Sequence, residues 1–174
     1  KNPKEEWAYK VVENIFDHIK SVNSITNEDY DIFGHSAGGQ FVHRMVMLMP
    51  ESRIGTAISA NSGFYSLPTE NLEFPYGIKN TGIDLKFDLQ KSYKKRLIIL
   101  LGELDNDQSL GTFRTTNLAM EQGTHRLERG TNFYNANKEL KNKNNWIFNW
   151  EIDTIVNVGH NYKKMSENRI EEQR

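Results

Sequence analysis

An α/β fold built on a mainly parallel sheet with flanking helices is predicted by three observations. Helical and strand-like patterns alternate along the 174 residues, with no repeat or low-complexity stretch between them. The segment Arg96 to Leu101 carries consecutive Ile and Leu residues, the pattern of a strand buried on both faces. A glycine-rich turn from Gly34 to Gly39 separates a short β-type run from a helical pattern.

Taken in order, residues 3–21 read as an amphipathic helix. Trp7, Val11, Ile15 and Ile19, helped by Val12 and Phe16, recur at spacings of three and four, with charges on the other face. The polar run Ser21 to Asn27 ends it. Tyr30 to Phe33 is the first strand. After Gly38 and Gly39, the positions Phe41, Val42, Met45, Val46 and Leu48 give a second helix that stops at Pro50. Ile54 to Ala60 is the second strand and Arg96 to Leu101 the third. Between these two, residues 61–93 hold Gly63, Pro68, Pro75 and Gly77 without a clear period, and read as a loop excursion of the kind that forms lids or binding loops. A polar loop over 104–112, helical stretches over 113–144, a fourth strand within Trp146 to Val158 and a charged terminal helix over 161–174 complete the chain.

Composition narrows the function. With 22 basic and 23 acidic residues, the net charge of -1 lacks the footprint of a phosphate-backbone binder, so nucleic acid is not expected as a partner. No run approaches the roughly 18 apolar residues of a membrane span. The absence of cysteine removes disulfides, thiolate nucleophiles and Cys-ligated zinc, and leaves the compartment open. The hydrophobic fraction of 37% is low for a chain that must bury a core.

Gly34-His35-Ser36-Ala37-Gly38 is a G-x-S-x-G pentapeptide between a strand and a helix. That context suits a turn sharp enough to hold a serine, strained, at its apex, with glycines on either side where a Cβ would meet backbone. The following helix would aim its positive end at Ser36, with the Ala37 N–H as an oxyanion donor. A serine needs a base and an acid that orients it. Of five histidines, His18 falls on a surface helix, His35 is the spacer in the turn, His43 lies two helical turns beyond Ser36, and His125 sits among Gly123, Arg126 and Arg129. His160 alone follows a strand, after Gly159. The third strand ends in Gly102-Glu103-Leu104-Asp105-Asn106-Asp107, which offers Asp105, with Asp107 as its rival. The order Ser36, Asp105, His160 is the one used on the α/β-hydrolase fold.

The turn Gly34 to Gly39, the Gly102-x-x-Asp105 turn and Val158-Gly159-His160 before a helix resemble α/β-hydrolases, most closely the serine esterase, feruloyl-esterase and polyhydroxyalkanoate-depolymerase-like group. The resemblance runs from about residue 5 to the end. It implies a carboxylesterase in which Ser36 attacks an ester carbonyl, His160 is base and then acid, and Asp105 holds the imidazolium, with no cofactor and no metal. The implied substrate is a small-molecule or polymer ester. In that fold four strands precede the nucleophile, whereas 35 residues precede Ser36 here. The expectation is therefore a C-terminal portion of a single α/β-hydrolase domain over 1–174, lacking the N-terminal strands and the loop that gives the second oxyanion donor. Those missing strands would belong to the same domain and would leave Tyr30 to Phe33 as an open edge.

A phosphate loop fails for want of a Lys after the glycines, and Gly34, Gly38 and Gly39 do not spell a dinucleotide fingerprint. A calcium loop from Glu103 fails because Gly111 falls one place late and Thr116 stands where Glu is needed. His35, Phe64, Tyr65 and Tyr76 are candidate substrate contacts, although the aromatics could equally form a small satellite core. Peptidase, thioesterase or acyltransferase chemistry uses the same triad, and a non-catalytic binding or interaction module that keeps the scaffold is a separate alternative.

Overall fold

In the computed structural model, residues 3–84, 86–109 and 112–171 are described, with side chains through residue 167. Gly111 and the end of the expected terminal helix, 172–174, lie outside the described residues. Four strands form one sheet in the order β1 (Tyr30–His35), β2 (Ile54–Ala60), β3 (Arg96–Gly102), β4 (Trp150–Ile155). Every neighbouring pair is parallel.

Sequential parallel strands joined by right-handed crossovers place their connecting helices on one face. That face carries α1 (Ala8–Asn23), α2 (Ala37–Leu48), the short α3 (Asp88–Ser92) and α5 (Arg126–Asn144), around a core that includes Val42, Met45, Val46, Leu89, Phe133 and Trp150. A one-turn helix, α4 (Asn117–Met120), lies in the connection before α5. The opposite face is smaller, with Ala60, Ile98, Leu100, Val158 and Met165 of α6 (Tyr162–Glu171). β3 supplies both: Leu97, Ile99 and Leu101 point to the first core, Ile98 and Leu100 to the second, and all five are fully buried. The period-two geometry of a strand requires this split, and it explains why the run has no polar member.

The first helix departs from expectation. It runs from Ala8 after a 3-10 turn at Lys4–Glu6, and Ser24 closes it in the left-handed conformation at φ 53°. Val11, Ile15 and Ile19, read from the sequence as its buried stripe, are 54%, 52% and 40% exposed. The helix instead packs through Val12, Phe16 and buried Glu13. Burial of that carboxylate is possible because it accepts from Tyr30 Oη (2.5 Å) and from the backbone N–H (3.0 Å) and Nε (2.8 Å) of Arg53. The helix is thereby tied to β1 and to the turn before β2. Its apolar stripe lies bare, and β1, an edge of the sheet, shows Phe33 at 39% exposure.

Candidate active site

In a parallel sheet the strand ends that follow the chain direction all open on one rim, where ligands usually bind. Ser36 follows β1, Asn61 follows β2, Asp105 lies just past β3 and His160 just past β4. Ser36 sits at φ 56° and ψ -113°, a backbone state that non-glycine residues rarely occupy and that marks functional turns. The turn is pinned by Ser36 N–H donating to the Ala60 carbonyl (2.9 Å) and by Gln40 N–H donating to the Ser36 carbonyl (3.1 Å).

His160 bridges the other two residues. Its Nε2 lies 3.1 Å from Ser36 Oγ and its Nδ1 2.7 Å from Asp105 Oδ2. Asp105 is fully buried, and its second oxygen accepts from Arg126 Nη1 at 3.1 Å. Asp107, the rival acid, points elsewhere: it is an exposed turn residue that accepts the Ser109 N–H at 2.8 Å, and that bond holds its carboxyl below the usual range.

The loops carrying these groups are held by residues that sequence reasoning passed over. Asn61, buried and in the left-handed region at φ 43°, accepts the Gly102 N–H with Oδ1 (2.8 Å) and donates from Nδ2 to the Gly159 carbonyl (3.2 Å). It thus clasps the turn bearing Asp105 to the turn bearing His160. Glu103 helps by accepting the Asn157 N–H at 2.8 Å. An Asn directly after a strand is a visible hint of a left-handed turn. The Arg126 contact has no local signature, because its partner lies 21 residues away.

The remaining candidates are placed as follows. The His35 ring lies 4.5 Å from the His160 ring, tilted by 41°, so it walls the imidazole. Burial, and then repulsion from His160, pull its pKa down to about 4, which keeps it neutral. Tyr65 belongs to the main core, fully buried with its ring stacked on Phe133 (4.5 Å). Phe64 and Tyr76 form a satellite cluster with Ala119, the packing alternative of the sequence reading. Gly38 also differs from expectation, since a Cβ there would meet nothing within 4 Å. Gly39 is the tight position instead, with Ser62 Oγ at 2.6 Å and the Ala60 carbonyl at 2.7 Å.

His43 is fully buried, as its place on the sheet side of α2 indicates. Nδ1–H donates to the Gly39 carbonyl (3.0 Å) and Nε2 accepts the Ser66 N–H (3.1 Å), which fixes the neutral ring. Burial, with repulsion from Arg44, holds its pKa well below the ordinary value. A base whose pKa is depressed by folding contributes stability that is complete above the unfolded-state pKa of about 6.5 and is lost as pH falls toward the folded-state value. Urea midpoints are therefore expected to be level at pH 7–8 and to fall between about pH 6.5 and 5, above the carboxylate range. A flat profile across that window would contradict the buried neutral ring.

No protein-family model matches the chain, and no curated protein sequence does. Among solved structures, it superimposes on poly(aspartic acid) hydrolase-1 from Sphingomonas sp. KT-1 with a TM-score of 0.92 and 36% identity, over 98% of this chain and 64% of that one. It superimposes on a poly(3-hydroxybutyrate) depolymerase from Bordetella parapertussis with a TM-score of 0.88 and 30% identity, over 95% of this chain and 56% of that one. The chain thus spans less than two thirds of the length of either neighbour. Agreement this close across nearly every residue, with a parallel sheet in the expected class, shows that the chain has an α/β-hydrolase-like fold.

Proposed function

We propose that this chain carries the reaction centre of a serine esterase. The observation that supports it is the continuous hydrogen-bonded line from Ser36 Oγ through His160 to buried Asp105. In this reading His160 Nε2 takes the Ser36 proton as Oγ bonds to the ester carbonyl carbon, and Asp105 steadies the resulting imidazolium. The tetrahedral intermediate expels the alcohol, which receives that proton from His160. Water, deprotonated by the same ring, then releases the acid and restores Ser36. Ala37 opens α2, where an N–H has no partner within the helix, so it is the donor assigned to the developing oxyanion. Neutral His35 against the base excludes water from one side of its ring without competing for its proton.

Both neighbours named above act on polymers by their descriptions, one on a polyester and one on a polyamide; the polyester case, poly(3-hydroxybutyrate), supports a polymer or oligomer ester as substrate here. A fluorophosphonate probe is expected to attach to Ser36 in the full chain, read as a mass increase on the peptide containing it. Lack of modification, or modification of another residue, would overturn the assignment and leave a binding module on a hydrolase scaffold.

A further inference from the structure

A pair of cations that the three residues do not use lies over Phe64, in the excursion after β2. The guanidinium carbon of Arg44, on α2, is 4.8 Å from the Phe64 ring centre, and that of Arg114, from the loop before α4, is 4.9 Å from the same ring. Arg44 also covers Phe74 at 5.4 Å, and Arg114 covers Tyr76 at 5.6 Å. Their polar contacts are all neutral: Arg44 Nε donates to Ser66 Oγ (3.0 Å) and its Nη2 to Gln40 Oε1 (3.4 Å), while Arg114 Nε donates to Tyr76 Oη (2.7 Å). Among the described residues, neither arginine is ion-paired with a carboxylate. Burial, and in smaller part repulsion from Arg114, lower the Arg44 pKa, so the two charges feel each other.

Arg44 connects to the turn that bears Ser36 through Gln40. Gln40, which receives Arg44, lies one helical turn after Ser36 and donates its own N–H to the Ser36 carbonyl. Helical side chains lean toward the N-terminus, so Arg44 reaches back along α2 toward Ser36. Phe64, under both arginines, is four residues past Ala60, whose carbonyl holds the Ser36 N–H. Two guanidiniums fixed on a shared aromatic base, short of counter-ion and with donors left over, make a receptor for a planar anion.

We propose that Arg44 and Arg114 form a carboxylate subsite, so that the esters cleaved at Ser36 carry an anionic group a few bonds from the scissile carbonyl. This rests on the serine-esterase reading above. The group could be the terminal carboxylate of an oligomer or a side-chain carboxylate of an acidic polymer, since both present the same two oxygens.

The test compares 4-nitrophenyl glutarate, an ester with a free carboxylate, with the uncharged 4-nitrophenyl valerate, using the full chain. The glutarate ester is expected to have the higher kcat/KM. Arg114→Gln should lower the glutarate-to-valerate ratio about tenfold, chiefly through KM, as expected for loss of one charged hydrogen bond. Arg44→Lys, which keeps the charge but loses the flat stack, should lower it less. Equal handling of the two esters, or a ratio untouched by Arg114→Gln, would overturn the subsite while leaving the esterase intact. A second readout does not need turnover. Free glutarate should raise the melting temperature of the chain, and Arg114→Gln should remove that rise. If Ser36 takes no label and neither ester is cleaved, the esterase reading fails, and the glutarate-dependent melting shift still decides the subsite for or against.

Discussion

Asp105→Asn is expected to cut ester turnover by about 10⁴-fold while leaving the chain folded. An asparagine here can still offer its amide oxygen to Arg126, because Asp105 Oδ1 is the atom that faces that guanidinium at 3.1 Å. Its amide nitrogen must then face His160 Nδ1, in the place of the oxygen now 2.7 Å away. A donor at that point forces the imidazole into the tautomer protonated on Nε2, which cannot accept the Ser36 proton. Asp105→Ala should do more: it removes the carboxylate from Arg126, which is 1% exposed, and breaking a buried pair costs about 3–5 kcal/mol. The two variants therefore separate the roles of one side chain. Asn should lower kcat at nearly unchanged urea midpoint, whereas Ala should lower both. Asp107→Asn, at an exposed turn, should change neither by a measurable amount. An Asn variant within tenfold of the parent would show that Asp105 does not orient the base.

Legibility of the fold in the sequence followed how far each residue's role depends on its neighbours in the chain. β3 announced itself because both of its faces are dry, and a strand of this kind has a local signature in Ile and Leu. Ser36, Asp105 and His160 were readable because each directly follows a strand, so that finding the strands was enough to bring them to one rim. The orientation of α1 was not readable. Its hydrophobic period pointed to Val11, Ile15 and Ile19, but Glu13 faces the protein because Tyr30 and Arg53, 17 and 40 residues away, supply its hydrogen bonds. Periodicity weighs side chains one at a time and has no access to such partners. The aromatics of the excursion after β2 were ambiguous for a related reason. Composition locates Phe64, Tyr65 and Tyr76 on one loop, and only the fold sends Tyr65 into the core while Phe64 and Tyr76 become the base for two arginines.

Gly34→Ala is the second substitution from which a large effect is expected, and it tests why the pentapeptide contains glycine at all. A Cβ on Gly34 would lie 2.2 Å from the Gly38 carbonyl oxygen, 2.4 Å from its carbon and 2.8 Å from Val42 Cγ2. The first two contacts are backbone, so no rotamer change relieves them. The strand and α2 would have to part, with Ser36 at the joint. Overpacking of a core costs about 1–3 kcal/mol and sometimes more, and with backbone on both sides this position belongs at or above the upper end. Turnover should fall with it, because Ser36 Oγ would be carried off the His160 nitrogen now 3.1 Å away. Gly38→Ala gives the contrast. Position 38 is helical, in the first turn of α2, and open, so replacing glycine there should leave the melting temperature unchanged or raise it, by less than the roughly 1 kcal/mol that glycine costs in a helix interior. The first glycine of the motif is thus required by contact between strand and helix. The second is required only if something outside the described structure, such as substrate, must pass close to the backbone at that point. A Gly38→Ala chain that melts like the parent but hydrolyses ester more slowly would locate that passage. Equal destabilisation by both substitutions would show instead that the turn tolerates no side chain at either glycine.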